Sequence, residues 1–227
     1  MSRLPWAIKR NTLTIFFGTI FVLALGGQAL TGLALYNEEQ VASGLDTISL
    51  VQYLLSSRFA VDVTENWQSE YLQFLLFILA TVWLVQRGSP ESKKLDEVGR
   101  ESDADQLVGE YATEASPAWA KARGVLLWLF SHSLSLVMGT IFLLSWLAQS
   151  ITGAAAYSED QLRQYEDPVT WSQYVTLPEF WSRTFQNWQS EFLAVASMVI
   201  LSVYLRERGS SESKKVGAPH TATGTDG

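Results

Sequence analysis

The sequence predicts an all-α integral membrane bundle: four transmembrane helices from two tandem two-helix repeats, with short amphipathic surface helices in the outer loops. Three observations predict it. The chain is written twice, each copy contains two apolar runs, and the cations gather outside the repeats. At a constant, ungapped offset of about 121 residues, Gly18-Thr19-Ile20-Phe21 falls on Gly139-Thr140-Ile141-Phe142, and Asn66-Trp67-Gln68-Ser69-Glu70 falls on Asn187-Trp188-Gln189-Ser190-Glu191. Roughly 32 of about 84 aligned positions are identical, which shared apolar composition does not produce.

Repeat 1 covers residues 1–94 and repeat 2 residues 124–215. The first apolar run, about residues 13–35, follows Arg3, Lys9 and Arg10 and by itself has the layout of a secretory signal. Its counterpart, about residues 126–156, lies mid-chain where no signal stands, so the first run is read as a retained span. The second runs, about 67–86 and 188–206, reach across a ~30 Å hydrocarbon core once the flanking Trp and Tyr serve as interfacial anchors. Between the repeats, residues 95–123 are polar and of mixed charge, the composition of a solvated connection. Residues 216–227 are small, polar and rich in Gly, Pro and Thr, and are expected to be disordered.

Orientation follows from charge. Of 16 Lys and Arg, only Arg58, Arg163 and Arg183 fall in the two loops inside the repeats. Both termini and the linker are therefore expected in the cytoplasm. The outer loops and helix starts carry Glu38, Glu39, Asp46, Asp62, Glu65 and Glu70, with Glu159, Asp160, Glu166, Asp167, Glu179 and Glu191 in the second copy, so most of the net charge of −7 lies outside. That acidity excludes nucleic acid as a partner. An even number of spans per repeat gives both halves the same orientation, which predicts a pseudo-two-fold axis along the membrane normal. With no cysteine, disulfides and thiol chemistry are excluded.

Ser49-Leu50-Val51-Gln52 and Thr170-Trp171-Ser172-Gln173 fit capping boxes at equivalent places, predicting a short helix in each outer loop. Thr176-Leu177-Pro178-Glu179 is a further box, with Pro just inside the start. The aromatic residues of this loop, among them Trp171, Tyr174, Phe180, Trp181 and Phe185, are read as headgroup-level anchors rather than a ligand cage.

The candidate polar or ion site lies within the spans. Asn66, Glu70 and Gln73 share a helical face, and Asn187 and Glu191 repeat the first two. The partner helices bring Gln28 and Thr31, and Gln149 and Thr152. A carboxylate at that depth is costly unless protonated, paired or hydrated, so Glu70 and Glu191 are the leading functional candidates. The competing reading is plain helix-to-helix hydrogen bonding, worth about 0.6 kcal/mol per contact. His132 aligns with Asn11 and is read as an interfacial hydrogen-bonding residue. No P-loop, zincin helix, nucleophile elbow or dinucleotide fingerprint occurs, so no cofactor, metal site or catalytic residue is assigned.

The paired Asn-Trp-Gln-Ser-Glu motifs, the Arg-Gly-Ser-x-Glu-Ser-Lys ends (87–93 and 208–214) and Gln106 to Glu110 in the linker together resemble an uncharacterised family of bacterial multipass membrane proteins, a domain of unknown function. The resemblance spans nearly the whole chain. It implies a bacterial inner-membrane location and carries no activity or ligand. Three function classes stay open: a non-enzymatic bundle that meets lipid, a protein partner or a second copy; a small transporter or channel element using the Glu pair for cations or protons; and, weakest, an intramembrane acid/base enzyme, for which no nucleophile accompanies the carboxylates.

Overall fold

A computed structural model describes residues 10–224, and among these the fold is all-helical, with no strand. The seven α-helices are α1 (Thr12–Ala42), α2 (Leu50–Leu54), α3 (Ser57–Ala80), α4 (Val125–Ser131), α5 (Ser133–Arg163), α6 (Trp171–Tyr174) and α7 (Pro178–Tyr204), with three 3-10 turns in the linker. The charges of Arg3 and Lys9 and the end of the tail, residues 225–227, lie outside the described residues.

Two helices, α1 and α5, are long and apolar enough to cross a membrane, each with 31 residues and mean hydropathies of 1.9 and 1.7 in their most apolar stretches. α3 and α7 do not meet that measure; they carry Arg58, Asp62, Glu65 and Glu70, and Glu179, Arg183 and Glu191. The expected boundaries also move. α3 begins ten residues before the expected span and stops at Ala80, so residues 81–86 are not helical. There Thr81 Oγ1 bonds back to the Phe77 and Ile78 carbonyls, and the Val82 carbonyl accepts from the Gly99 N–H of the linker. The third apolar run is divided at His132: its Nδ1 lies 2.8 Å from the Trp128 carbonyl and its ring stacks on Trp128, and it separates α4 from α5. α7 opens at Pro178, where the Thr176 to Glu179 segment predicted a helix start, with Leu177 in the cap position and no cap bond from the Leu177 side chain.

The other two boxes do form. Ser49 and Gln52 bond reciprocally at the start of α2, and Thr170 and Gln173 do the same before α6. Each loop is tied to the preceding helix at the equivalent place: Asn37 holds both backbone groups of Ile48, and the Ser158 hydroxyl holds both backbone groups of Val169.

The chain divides into two compact units, one of Met1–Val63 with Ser150–Tyr174 and the other of Thr64–Gln149 with Val175–Gly227. In the first, Tyr53 packs on Gly32 and Tyr174 on Gly153, where a Cβ would sit 2.6 Å from the Tyr174 hydroxyl. Only glycine admits the rings there, which is what these repeated glycines do. In the second unit the Arg-Gly-Ser ends form matching hooks. Gly88 and Gly209 take φ of 87° and 88°, the left-handed region that favours glycine, and Ser92 and Ser213 each accept a 2.9 Å bond from the backbone N–H of Gln86 and Glu207.

Residues 216–224 correct the expectation of a disordered tail. The Lys214 ammonium, 3% exposed, donates to the carbonyls of Pro219, His220 and Ala222. Arg206 holds the Ala218 carbonyl, and Thr223 accepts from the Gly88 N–H. Cations one hook away organise a segment whose own composition has nothing to bury.

Candidate functional site

In the first unit the polar ends of α1 and α5 and the start of α3 form one charged network. Arg58 Nη2 lies 2.8 Å from Asp160 and 3.4 Å from Glu39, while Arg163 Nη2 lies 2.6 Å from Glu159 and donates to Gln40 at 3.2 Å. The Tyr36 hydroxyl donates to Glu159, Gln40 donates to Tyr36, and the Arg163 guanidinium stands 5.0 Å over the Tyr36 ring. Burial alone would lower the Arg58 pKa, but the charges of Asp160 and Glu39 outweigh it and hold the guanidinium above its ordinary value. In the second unit Arg183 Nε is 2.7 Å from Glu65. All three arginines that break the charge asymmetry are thus paired with carboxylates.

The predicted polar residues are divided between the units. Gln28, Thr31 and Thr152 belong to the first, where Thr31 Oγ1 turns back on the Gly27 carbonyl of its own helix. Asn66, Glu70, Gln73, Gln149, Asn187 and Glu191 belong to the second. There Glu70 and Glu191, equivalent residues of the two repeats, lie close enough for their carboxyl groups to act on each other. Asn187 Nδ2 donates 2.9 Å to the Arg183 carbonyl one turn back, and the Asn66 carbonyl accepts from Ser69.

Two polar residues of this unit, Gln68 and Thr184, were not singled out by sequence. Both are fully buried, as is the predicted Gln149. Gln68 Oε1 accepts from Trp188 Nε1 at 2.8 Å, joining α3 to α7 through one motif residue from each repeat. Among the described residues, neither end of the Gln149 amide, nor Gln68 Nε2, nor Thr184 Oγ1 has a protein partner. Trp146 stands between Phe142 on its own helix and Phe180, Trp181 and Trp188 of α7, with centroids 5.6 to 6.3 Å apart. The loop aromatics therefore continue into a packed cluster.

A second carboxyl pair was also not singled out. Glu91 and Glu212 stand at equivalent places in the two hooks, and Glu91 is pushed up to about 7 by partial desolvation and then by the Glu212 carboxyl. The signal was available: these residues occupy the same position in the two repeats, as Glu70 and Glu191 do. Among the described residues no group of three or more His, Asp or Glu is placed to hold a metal ion.

The family described as Domain of unknown function (DUF6766) matches residues 5–225, and the chain belongs to it. No curated protein and no solved structure matches the chain.

Proposed function

Taking the chain as a member of that family, we propose that it is a multi-pass protein of the bacterial inner membrane, a non-enzymatic four-span bundle of two tandem repeats that meets lipid, a protein partner or a second copy. The carrying observation is the outward apolar surface of α1 and α5. Only 6% and 17% of their most apolar stretches are buried, with Leu13, Phe16, Val22 and Leu23 exposed on α1 and Leu143, Leu144 and Ile151 on α5. A soluble core helix buries such residues, whereas a span turns them to lipid. At ~1.5 Å per residue both helices exceed the ~30 Å hydrocarbon thickness. α3 and α7 complete the four spans in this reading, with their charged first turns at the outer interface.

The pseudo-two-fold axis is supported by the two carboxyl pairs. A residue meets its own equivalent only near a symmetry axis, and Glu70 with Glu191 and Glu91 with Glu212 are two such meetings. Reporter fusions test the topology: alkaline phosphatase joined after Leu45 or Tyr165 is expected to be active, and after Glu101 or Gly217 inactive. Activity at Glu101 overturns the orientation.

A second reading, a small proton or cation carrier, is favoured by the proximity of Glu70 to Glu191. A proton shared by two carboxyls within a span is the element a relay requires. Reconstituted vesicles decide it: pH-dependent flux above that of empty vesicles supports the carrier, and no flux at any pH removes it.

A further inference from the structure

We propose that α3, α5 and α7 enclose a hydration site inside the second unit, in which one or two water molecules are held by Gln68, Trp146, Gln149 and Thr184. The inference goes beyond the membrane-spanning reading and does not depend on it, because it concerns atoms that the protein itself shields.

The site is built from side chains that the fold encloses without pairing. Gln68, Gln149 and Thr184 are each 0% exposed. Gln68 Nε2, Trp146 Nε1, both ends of the Gln149 amide and Thr184 Oγ1 are shut off from solvent, and among the described residues they have no protein partner. All four residues belong to the second unit. Five buried polar atoms left bare are costly, and enclosed water is the partner that such groups take when side chains and backbone supply none.

The surrounding contacts draw these atoms together. The Trp146 ring lies 6.3 Å from Phe180 and 6.0 Å from Trp188, which stand one turn on either side of Thr184 along α7. Trp188 Nε1 in turn donates to Gln68 Oε1 at 2.8 Å, which brings α3 to the same place. Gln149 stands one turn beyond Trp146 on α5. An indole N–H can only donate, so Gln68 must give its oxygen to Trp188 and turn its NH2 group the other way.

The donor and acceptor inventory selects the ligand. All four side chains offer donors, whereas the free acceptors are Gln149 Oε1 and Thr184 Oγ1. A calcium-like cation wants roughly 6–8 oxygens, far more than these. An anion would be buried without a counter-charge, since Arg183, next to Thr184, lies 2.7 Å from Glu65. Water both donates and accepts, carries no charge and is small enough for a site walled by aromatic rings.

The repeat does not generate this site twice. At the same sequence offset Trp146 and Thr184 fall on Leu25 and Val63, which have no polar side-chain group, and the buried Gln68 falls on the exposed Gln189. Hydration is therefore a property of one side of the duplicated scaffold.

Two measurements on the full chain in detergent test the proposal. Water-selective NMR is expected to show a cross-peak between long-lived water and the Trp146 indole N–H, identified by its loss in Trp146→Phe. A wild-type indole signal with no such cross-peak overturns the site without reliance on any altered fold. Thermal unfolding supplies a sign. Thr184→Val and Gln149→Leu remove the polar groups and nearly keep the side-chain size. If the groups hold water, each variant lowers the apparent Tm by about 2–4 °C, and the double variant by less than the sum, because the first change already releases the water they share. If they hold nothing, each variant removes an unpaired buried group and Tm rises. A rise or no change in the single variants overturns the proposal, and a strictly additive double variant overturns the sharing of one site.

Discussion

The three loop arginines show how single side chains settle a local charge problem. Arg58 and Arg163 join Glu39, Glu159 and Asp160 in one unit, and Arg183 joins Glu65 in the other. Arg163 is the most enclosed of them, and its guanidinium faces a ring as well as carboxylates. Arg163→Leu is expected to cost about 3 kcal/mol, because the part-buried Glu159 then loses the guanidinium that pairs with it directly and keeps Tyr36. Thermal unfolding in detergent measures it, and a shift no larger than that of an exposed arginine variant counts against the network. The glycines under Tyr53 and Tyr174 give a steric test. Gly153→Ala places a Cβ inside the tyrosine contact and is expected to destabilise by about 1–3 kcal/mol, whereas Gly27→Ala meets open space and is expected to be neutral or mildly stabilising.

The Glu91 and Glu212 pair adds a pH effect at the same scale. A carboxyl whose pKa is raised in the folded state binds more protons folded than unfolded, so its contribution to stability is present in acid and is lost as pH rises toward about 7. Stability of the hooks is expected to fall between about pH 5 and pH 8 and to become flat there in Glu91→Gln. Hydrogen exchange at the hooks, followed against pH, reads this directly. A wild-type profile as flat as that of the variant removes the raised Glu91 titration.

At the scale of elements, the outer loops are fixed by short-range chemistry. Capping boxes at Ser49 and Thr170 and the side-chain locks at Asn37 and Ser158 leave little freedom between one long helix and the next. Asn37→Ala removes two bonds to Ile48 and is expected to cost about 1–2 kcal/mol, concentrated in local opening of the first loop. Exchange protection at Ile48 falls if this is correct and is unchanged if the lock is idle. The division between α4 and α5 has the same local character. His132 engages the Trp128 carbonyl with its ring where Asn11, its counterpart, precedes α1 as a cap residue.

For the whole molecule, the proposed role turns on what α1 and α5 face. Helices this long and this apolar, with so little of their surface covered, require a non-aqueous neighbour. The paired carboxyls then divide the readings. If Glu70 and Glu191 are structural, Glu191→Gln preserves fold and phenotype while Glu191→Leu disturbs the neighbouring contacts. If they relay protons, Glu191→Gln leaves expression and stability intact and abolishes the pH-dependent flux of reconstituted vesicles. Wild-type vesicles without flux return both residues to a structural role.

Sequence alone determined the helical class, the two capping boxes and the family resemblance, because these depend on periodicity and on bonds spanning three or four residues. The repeated Arg-Gly-Ser ends also marked the hook glycines, without indicating the conformation they take. Only tertiary structure decided where α3 stops, since its end is set beside a linker N–H from Gly99 that no local pattern announces. The ordered tail was hidden for the same reason. Its composition reads as unstructured, and Lys214 organises it through backbone carbonyls, which every sequence possesses alike. The meetings of Glu70 with Glu191 and Glu91 with Glu212 link residues far apart in the chain. Such contacts depend on which helix faces approach one another, a matter of packing that the spacing of residues along a single helix does not fix.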